Sequence, residues 1–308
     1  MLISAARTPA DLAAMVDRRA AGLPLEHVLG WAEFCGLRIA VDAGVFVPRR
    51  RTGFLVRQAT ALARPRAVVV DLCCGSGAVG AALIAALDRI ELYAVDIDPV
   101  AVRCTRRNIA AAGAQAYVGD LYEPLPAALR GRVDVLVANA PYVPTEAVGL
   151  LPPEARMHEP RMALDGGADG LDVLRRVAAA APPWLAPGGH LLVETSERQA
   201  PQTVESFARN GLIPRVASSD ELNATVVIGT RPTSRGDRIR STTAIEHLPR
   251  GRICKTLCDN RMVDDLWWRD TDAEYIRRRS DRYPGAVNIE PAWTWEAATD
   301  PREGQTRS

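Results

Sequence analysis

Apolar residues along this chain alternate between two rhythms. Short, nearly continuous runs such as "AVVVDLC" and "VDVLVANA" have the pattern of strands buried on both faces. Between such runs the spacing becomes helical, as in "AVGAALIAAL" and in "PVAVRCTRRNIAAAG", which Gly113 should stop. From Arg66 to about Thr230 the pattern predicts strands at "AVVVDLC", "IELYAVDID", "AQAYVGD", "VDVLVANA" and "HLLVETS", closed by "LIPRVASS" and "ATVVIGTRP". The later helices fall in "GLDVLRRVAAAAPPWLAPGG" and "RQAPQTVESFARNG". Such alternation predicts an α/β fold with a mostly parallel sheet covered on both faces. The last two strands, joined by a short link, suit an antiparallel pair at one edge.

Ahead of this region, residues 1 to about 30 read as Ala-rich helix, with Thr8 and Pro9 as cap and first-turn residue. "FCGLRIAVDAGVFVPRR" then predicts a small β-hairpin, with turn signals at Gly36 and at Asp42 to Gly44. After Pro232 the composition shifts to a polar linker and a charged stretch containing Trp267, Trp268, Trp293 and Trp295. The chain therefore divides into 1–56 (helical segment and hairpin), 57–232 (the α/β domain) and 233–308 (an extension of unassigned role).

At 308 residues there is room for one large or two modest domains. A formal net charge of +1 gives no bulk electrostatic footprint for stable nucleic-acid or membrane binding. No apolar run reaches the roughly 18 residues of a membrane span, and the start lacks the basic-then-apolar order of a signal peptide. The six cysteines are irregularly spaced, with Cys73 beside Cys74, which suits a reducing cytoplasm. The histidines are scattered, and Cys254 and Cys258 lack a fourth ligand, so no metal site is expected.

Chemistry gathers where the predicted strands end. "VVVDLCCGSGAVG" brings a strand ending near Asp71 into a loop of Cys73, Gly75, Ser76 and Gly77, and then into a helix. The loop can be forced onto the Gly-rich dinucleotide fingerprint through Gly80. A leading carboxylate, however, repels a diphosphate and attracts the amino group and sulfonium of S-adenosylmethionine. The alternatives are a nucleotide phosphate and a purely structural turn. About 20 residues on, Asp96 in "YAVDIDP" is placed to accept ribose hydroxyls, while Asp98 with Pro99 reads as the next helix cap. Asp120 in "YVGDLYEPL" can read an adenine amino group with Leu121 flanking the ring; a surface-turn aspartate fits as well.

The fourth stretch is "NAPY", Asn139, Ala140, Pro141 and Tyr142. An Asn carbonyl and the following backbone carbonyl can each accept from an NH2 group, which orients a planar nitrogen beside a methyl donor. Pro141 stiffens the turn, and the Tyr142 ring can pack on a planar amide or base.

With these motifs, "PLEHVLG", "FVPRRRT" and "HEPRMALDGGADGLDVLRRV", the chain resembles the HemK/PrmC family of protein-(glutamine-N5) methyltransferases, in its PrmC-related branch, from about Leu23 to Pro232. The resemblance implies a Rossmann-like, seven-stranded class I S-adenosylmethionine-dependent fold. It implies methylation of a glutamine side-chain amide in a peptide-chain release factor, in the cytoplasm. It carries the donor site onto Asp71, Cys73, Gly75, Ser76, Gly77, Asp96, Asp120, Leu121 and Asn139, and the acceptor site onto Asn139 to Tyr142.

Three departures from the family pattern stand out. Ala140 replaces the first proline of Asn-Pro-Pro-Tyr. "PRRRTG" from Pro48 to Gly53 stands where the family has "PRPETE". About 22 residues precede Leu23, where the family carries a helical domain. Two other readings remain at this level: a methyltransferase acting on the exocyclic amine of adenine in nucleic acid, and a degenerate donor-binding module with a partner-binding tail.

Overall fold

The computed structural model describes residues 1–233. The predicted extension, with its linker, its four tryptophans, His247, Cys254 and Cys258, lies outside the described residues.

Strands β1 (Trp31–Phe34) and β2 (Leu37–Ala40) form a hairpin, and the sheet comprises β3 (Val68–Leu72), β4 (Glu91–Asp96), β5 (Gln115–Val118), β6 (Val133–Ala138), β7 (Leu185–Thr195), β8 (Ile213–Ser219) and β9 (Ala224–Thr230). Its order is β5-β4-β3-β6-β7-β9-β8. The pairs from β5 through β7 are parallel, and β9 runs antiparallel to both β7 and β8. This is a seven-stranded, Rossmann-like sheet, as the resemblance implies. Strand order reverses between β3 and β6, so the crevice at their carboxyl ends is the switch point where such sheets bind ligands.

β3 forms because Val68, Val69, Val70 and Leu72 suit a strand covered on both faces, and all are buried. One face packs on α4 (Gly53–Leu62), α5 (Ala78–Ala86) and α6 (Pro99–Ile109). The other packs on α8 (Asp172–Ala180) and α9 (Ala200–Arg209), through Leu174, Val177 and Phe207. α5 is apolar all round and correspondingly buried, whereas α6 buries Ala101, Val102 and Ile109 and points Arg103, Arg106 and Arg107 outward. Asp98 caps α6 by accepting from the Val100 amide at 2.8 Å. Trp184 is core, stacked on Tyr122 with centroids 5.7 Å apart.

Several expected boundaries move. The N-terminal stretch is three helices, α1 (Leu2–Ala5), α2 (Pro9–Ala20) and α3 (Leu25–Leu29), with extended residues at Ala6 and Thr8 between the first two, Gly22 at positive φ between the next two and Gly30 at positive φ ending the third. Thr8 does cap α2, accepting from the Asp11 amide. α6 ends at Ile109, and a 3-10 turn over Ala110–Ala112 intervenes before Gly113. The hairpin turns at Cys35 and Gly36, both at positive φ as a tight two-residue turn requires. Asp42 to Gly44 therefore do not close a hairpin. Residues 41–48 instead form a loop anchored by tertiary bonds described below. β7 begins at Leu185, five residues before "HLLVETS", because Leu185 pairs with Val133 across a bulge. The long connection from β6 to α8 contains α7 (Pro153–His158) and two 3-10 turns.

Candidate active site

The carboxyl ends of β3, β4, β5 and β6 surround a cavity of about 310 Å³, at the small end of the range for ligand pockets. Its lining includes Asp71, Cys73, Gly75, Ser76, Asp96, Asp120, Leu121, Asn139 and Pro141. Residues from four separate strand ends therefore converge. Of the residues singled out in the sequence, Gly77, Ala140 and Tyr142 are not among the lining residues.

Two backbone features shape the donor side. Gly77 starts α5 at φ +77°, and a Cβ there would come within 2.8 Å of Thr105 Cγ2, so this turn requires glycine. Cys73 (φ +55°) and Leu121 (φ +50°) are non-glycine residues in the left-handed region, and both line the cavity. Such strain persists only where surrounding structure enforces it, which is common at ligand sites.

The carboxylates are held by backbone amides. Asp71 is 2% exposed and accepts from the Gly80 amide at 3.0 Å. Burial, with a smaller push from the nearby Asp96, raises its carboxyl to about 7 against the lowering by the Gly80 bond. Asp96 accepts from the Gly75 amide at 2.8 Å and the Asp98 amide at 3.0 Å, so it ties the glycine loop to the end of β4. Burial raises its carboxyl too, with the backbone bonds opposing. Asp120 pairs with Arg176 of α8 at 2.5 Å. The lining holds five carboxylates (Asp71, Asp96, Asp98, Asp120 and Asp165) against one arginine, Arg176. That balance suits a cationic ligand and opposes a diphosphate.

On the acceptor side, Asn139 follows the last residue of β6 and is half-buried. Its Nδ2 lies 3.5 Å from Thr52 Oγ1, a long hydrogen bond that turns the amide nitrogen toward the 3-10 turn Arg50–Thr52. Neither Asn139 Oδ1 nor the Ala140 carbonyl makes a hydrogen bond among the described residues. The Tyr142 ring, expected to pack on a planar acceptor, has its hydroxyl engaged. It accepts from Arg51 Nη2 at 2.5 Å and donates to Glu194 Oε1 at 3.2 Å. Burial and Glu194 push its phenol up to about 12, so it stays protonated.

The cavity also has a roof, built from residues to which the sequence assigns no site role. Phe46 and Pro48 line the cavity from one side, and Pro160, Met162 and Ala163 line it from another. Glu159 joins these two segments. Its Oε1 accepts from the Val47 amide at 3.2 Å, and its Oε2 from Arg49 Nη2 at 2.6 Å. His27 holds the same loop at Val45 O, 2.8 Å away. The only signal for Phe46, Glu159 and Arg176 lies in the family-like stretches "FVPRRRT" and "HEPRMALDGGADGLDVLRRV", which contain them without giving any of them a site role.

A model of the methyltransferase small domain matches residues 37–151. Over 228 residues the chain is 40% identical to the release factor glutamine methyltransferase of Geobacter sulfurreducens, covering 72% of this chain and 79% of that one. Over 210 residues it is 39% identical to the release factor glutamine methyltransferase of Mycolicibacterium smegmatis, covering 68% and 74%. This chain belongs to the release factor glutamine methyltransferase family. As a member of that family it uses S-adenosylmethionine as methyl donor, and the anionic cavity with its glycine loop is of a kind to take that cation. The solved protein-(glutamine-N5) methyltransferase of Alicyclobacillus acidocaldarius is 24% identical with a TM-score of 0.38, covering 60% of this chain and 94% of that one. Among the described residues no helix is long and apolar enough to cross a membrane.

Proposed function

We propose that this chain methylates the side-chain amide nitrogen of a glutamine in a peptide-chain release factor, with the donor held over the glycine loop and the amide held by Asn139 and Ala140. The observation that carries this reading is the pair of free acceptors, Asn139 Oδ1 and the Ala140 carbonyl, beside an anionic cavity.

Asp71 would attract the donor's cationic end and Asp96 its ribose hydroxyls, while Asp120 would read the adenine amino group with Leu121 flanking the ring. When bound, S-adenosylmethionine supplies an electrophilic methyl group on sulfur. An amide nitrogen is a poor nucleophile because its lone pair is delocalised into the carbonyl. Two acceptors that take both N–H bonds fix the nitrogen's orientation and favour rotation out of conjugation. No strong base is required, because the nitrogen sheds its proton once methylated. Positioning and preorganised electrostatics therefore supply most of the acceleration. Free thiols at Cys73 and Cys74, side by side at the cleft, support a cytoplasmic location.

The test is label transfer from methyl-labelled donor to an unmethylated release factor, with mass spectrometry of the glutamine-bearing peptide and Asn139→Ala as control. Label on that glutamine, lost in the variant, is the expected result. Label that appears instead in a nucleic-acid fraction would overturn the reading in favour of an adenine amine. Donor binding without transfer to any fraction would leave a donor-binding module.

A further inference from the structure

One short turn grips the acceptor loop at both ends. Thr52, 2% exposed, takes the Asn139 side chain, and its neighbour Arg51 takes the Tyr142 hydroxyl at 2.5 Å. The Arg51 guanidinium carbon also lies 5.8 Å from the Tyr142 ring centroid. Arg51 Nε donates to Glu194 Oε1 at 3.2 Å, and the Tyr142 hydroxyl donates to the same oxygen. Arg51, Tyr142 and Glu194 thus close a triangle of hydrogen bonds between residues that are 91, 143 and 52 apart in sequence.

Glu194, the penultimate residue of β7, is 2% exposed, and its Oε2 is buried without a partner. Among the described residues Arg51 makes its one salt bridge. A buried carboxylate with a single cationic partner holds that partner strongly, because the alternative is an uncompensated charge. The planar guanidinium fork can satisfy Glu194 and the phenol together, which a point charge such as lysine does less well. Tyr142 has two side-chain torsions, so holding its hydroxyl against Glu194 sets the ring and the backbone that bears it. The loop needs such a hold, because Ala140 lacks the ring-locked φ that a proline would bring, and only Pro141 supplies one.

We propose that Arg51 is a positioning residue for methyl transfer: by clamping Tyr142 onto Glu194 it holds the Asn139–Tyr142 loop in the shape that receives the amide. This rests on the glutamine-amide reading above. None of the three side chains lines the donor cavity. Their effect therefore falls on turnover and acceptor use, and donor affinity is left alone.

The experiment uses the full chain as wild type, Arg51→Ala, Arg51→Lys, Tyr142→Phe and the Arg51→Ala/Tyr142→Phe double variant. Donor Kd is read by calorimetry and kcat and KM with unmethylated release factor. Hydrogen exchange is followed over residues 139–143. Arg51→Ala should lower kcat at least tenfold with donor Kd within twofold, and Arg51→Lys should recover part of the loss. The double variant should fall no more than about twofold below the worse single one, since both remove the same clamp. A kcat for Arg51→Ala within twofold of wild type would overturn the proposal, as would losses that multiply in the double variant. If Arg51→Ala does not fold because Glu194 is left unpaired, the same cycle is run in a Glu194→Gln background, with the same outcomes deciding. If wild type itself labels no glutamine, the glutamine reading fails. Exchange then judges the clamp: faster exchange at 139–143 in Arg51→Ala supports it, and unchanged exchange overturns it.

Discussion

The two sides of the cleft are built differently. On the donor side, carboxylates bond to backbone amides 2 to 21 residues away: Asp96 to Asp98, Asp71 to Gly80, and Asp96 to Gly75. On the acceptor side and roof, side chains meet across long separations, such as Arg51 with Glu194 and Glu159 with Val47. A cradle made of local backbone tolerates change around it but not within it. A loop held by distant side chains can be altered from far away, and its fixings can be exchanged without disturbing the cradle. Substitutions on the acceptor side should therefore affect transfer, and substitutions in the cradle should affect donor binding and stability.

The sharpest separation is expected at Asn139. Asn139→Ala should cut turnover at least about a hundredfold, the scale for losing one preorganised hydrogen-bonding group, with donor affinity changed less than about threefold. Equal losses in both would erase the distinction between the sides. Next comes the roof. Glu159→Ala removes the tie between residues 45–49 and 159–163. Donor Kd should weaken about tenfold, roughly 1.4 kcal/mol, and amide exchange in both segments should quicken. A donor Kd that stays at the wild-type value would show that the roof takes no part in retention.

In the cradle, Gly77→Ala places a side chain at φ +77° and against Thr105. Strain of about 1–2 kcal/mol from the left-handed backbone alone, plus the overlap, should lower the denaturant midpoint and weaken donor binding together. An unperturbed midpoint would mean that the turn relaxes freely.

The smallest effect is one of pH. The Asp71 carboxyl is raised to about 7 in the folded protein, above its ordinary value near 3.9 when unfolded. The folded state thus binds this proton more tightly. Its contribution to stability is full below about pH 4 and is lost as pH rises through about 7. Donor binding runs the other way, since the ionised carboxylate attracts the cation. Donor affinity should increase severalfold between pH 6 and 8 in wild type and stay flat in Asp71→Asn. A slope that survives in the variant would assign the titration to another group.

How much of this was legible depends on range. β3 and the glycine loop could be read from "VVVDLCCGSG" because a buried strand, a turn that demands glycine and a helix start are each encoded within a few residues. Asp98 as a cap was legible for the same reason. The β7 start was not, since pairing of Leu185 with Val133 overrides a stretch containing Pro187, Gly188 and Gly189. The "NAPY" motif offers the Tyr142 ring as a surface for the acceptor, but says nothing of what holds its hydroxyl, because Arg51 and Glu194 lie outside the motif.

The sequence by itself determined the alternation of strands and helices, the glycine turn and the chemical types at the strand ends, because backbone propensity and burial act through near neighbours. Only the tertiary structure decided what those ends face: the Glu159 tie across the roof, the Arg176 partner of Asp120, and the Arg51 clamp on Tyr142. These are pairings of charge and hydrogen-bonding groups across 50 to 145 residues, and such groups choose partners only after the sheet has brought them together.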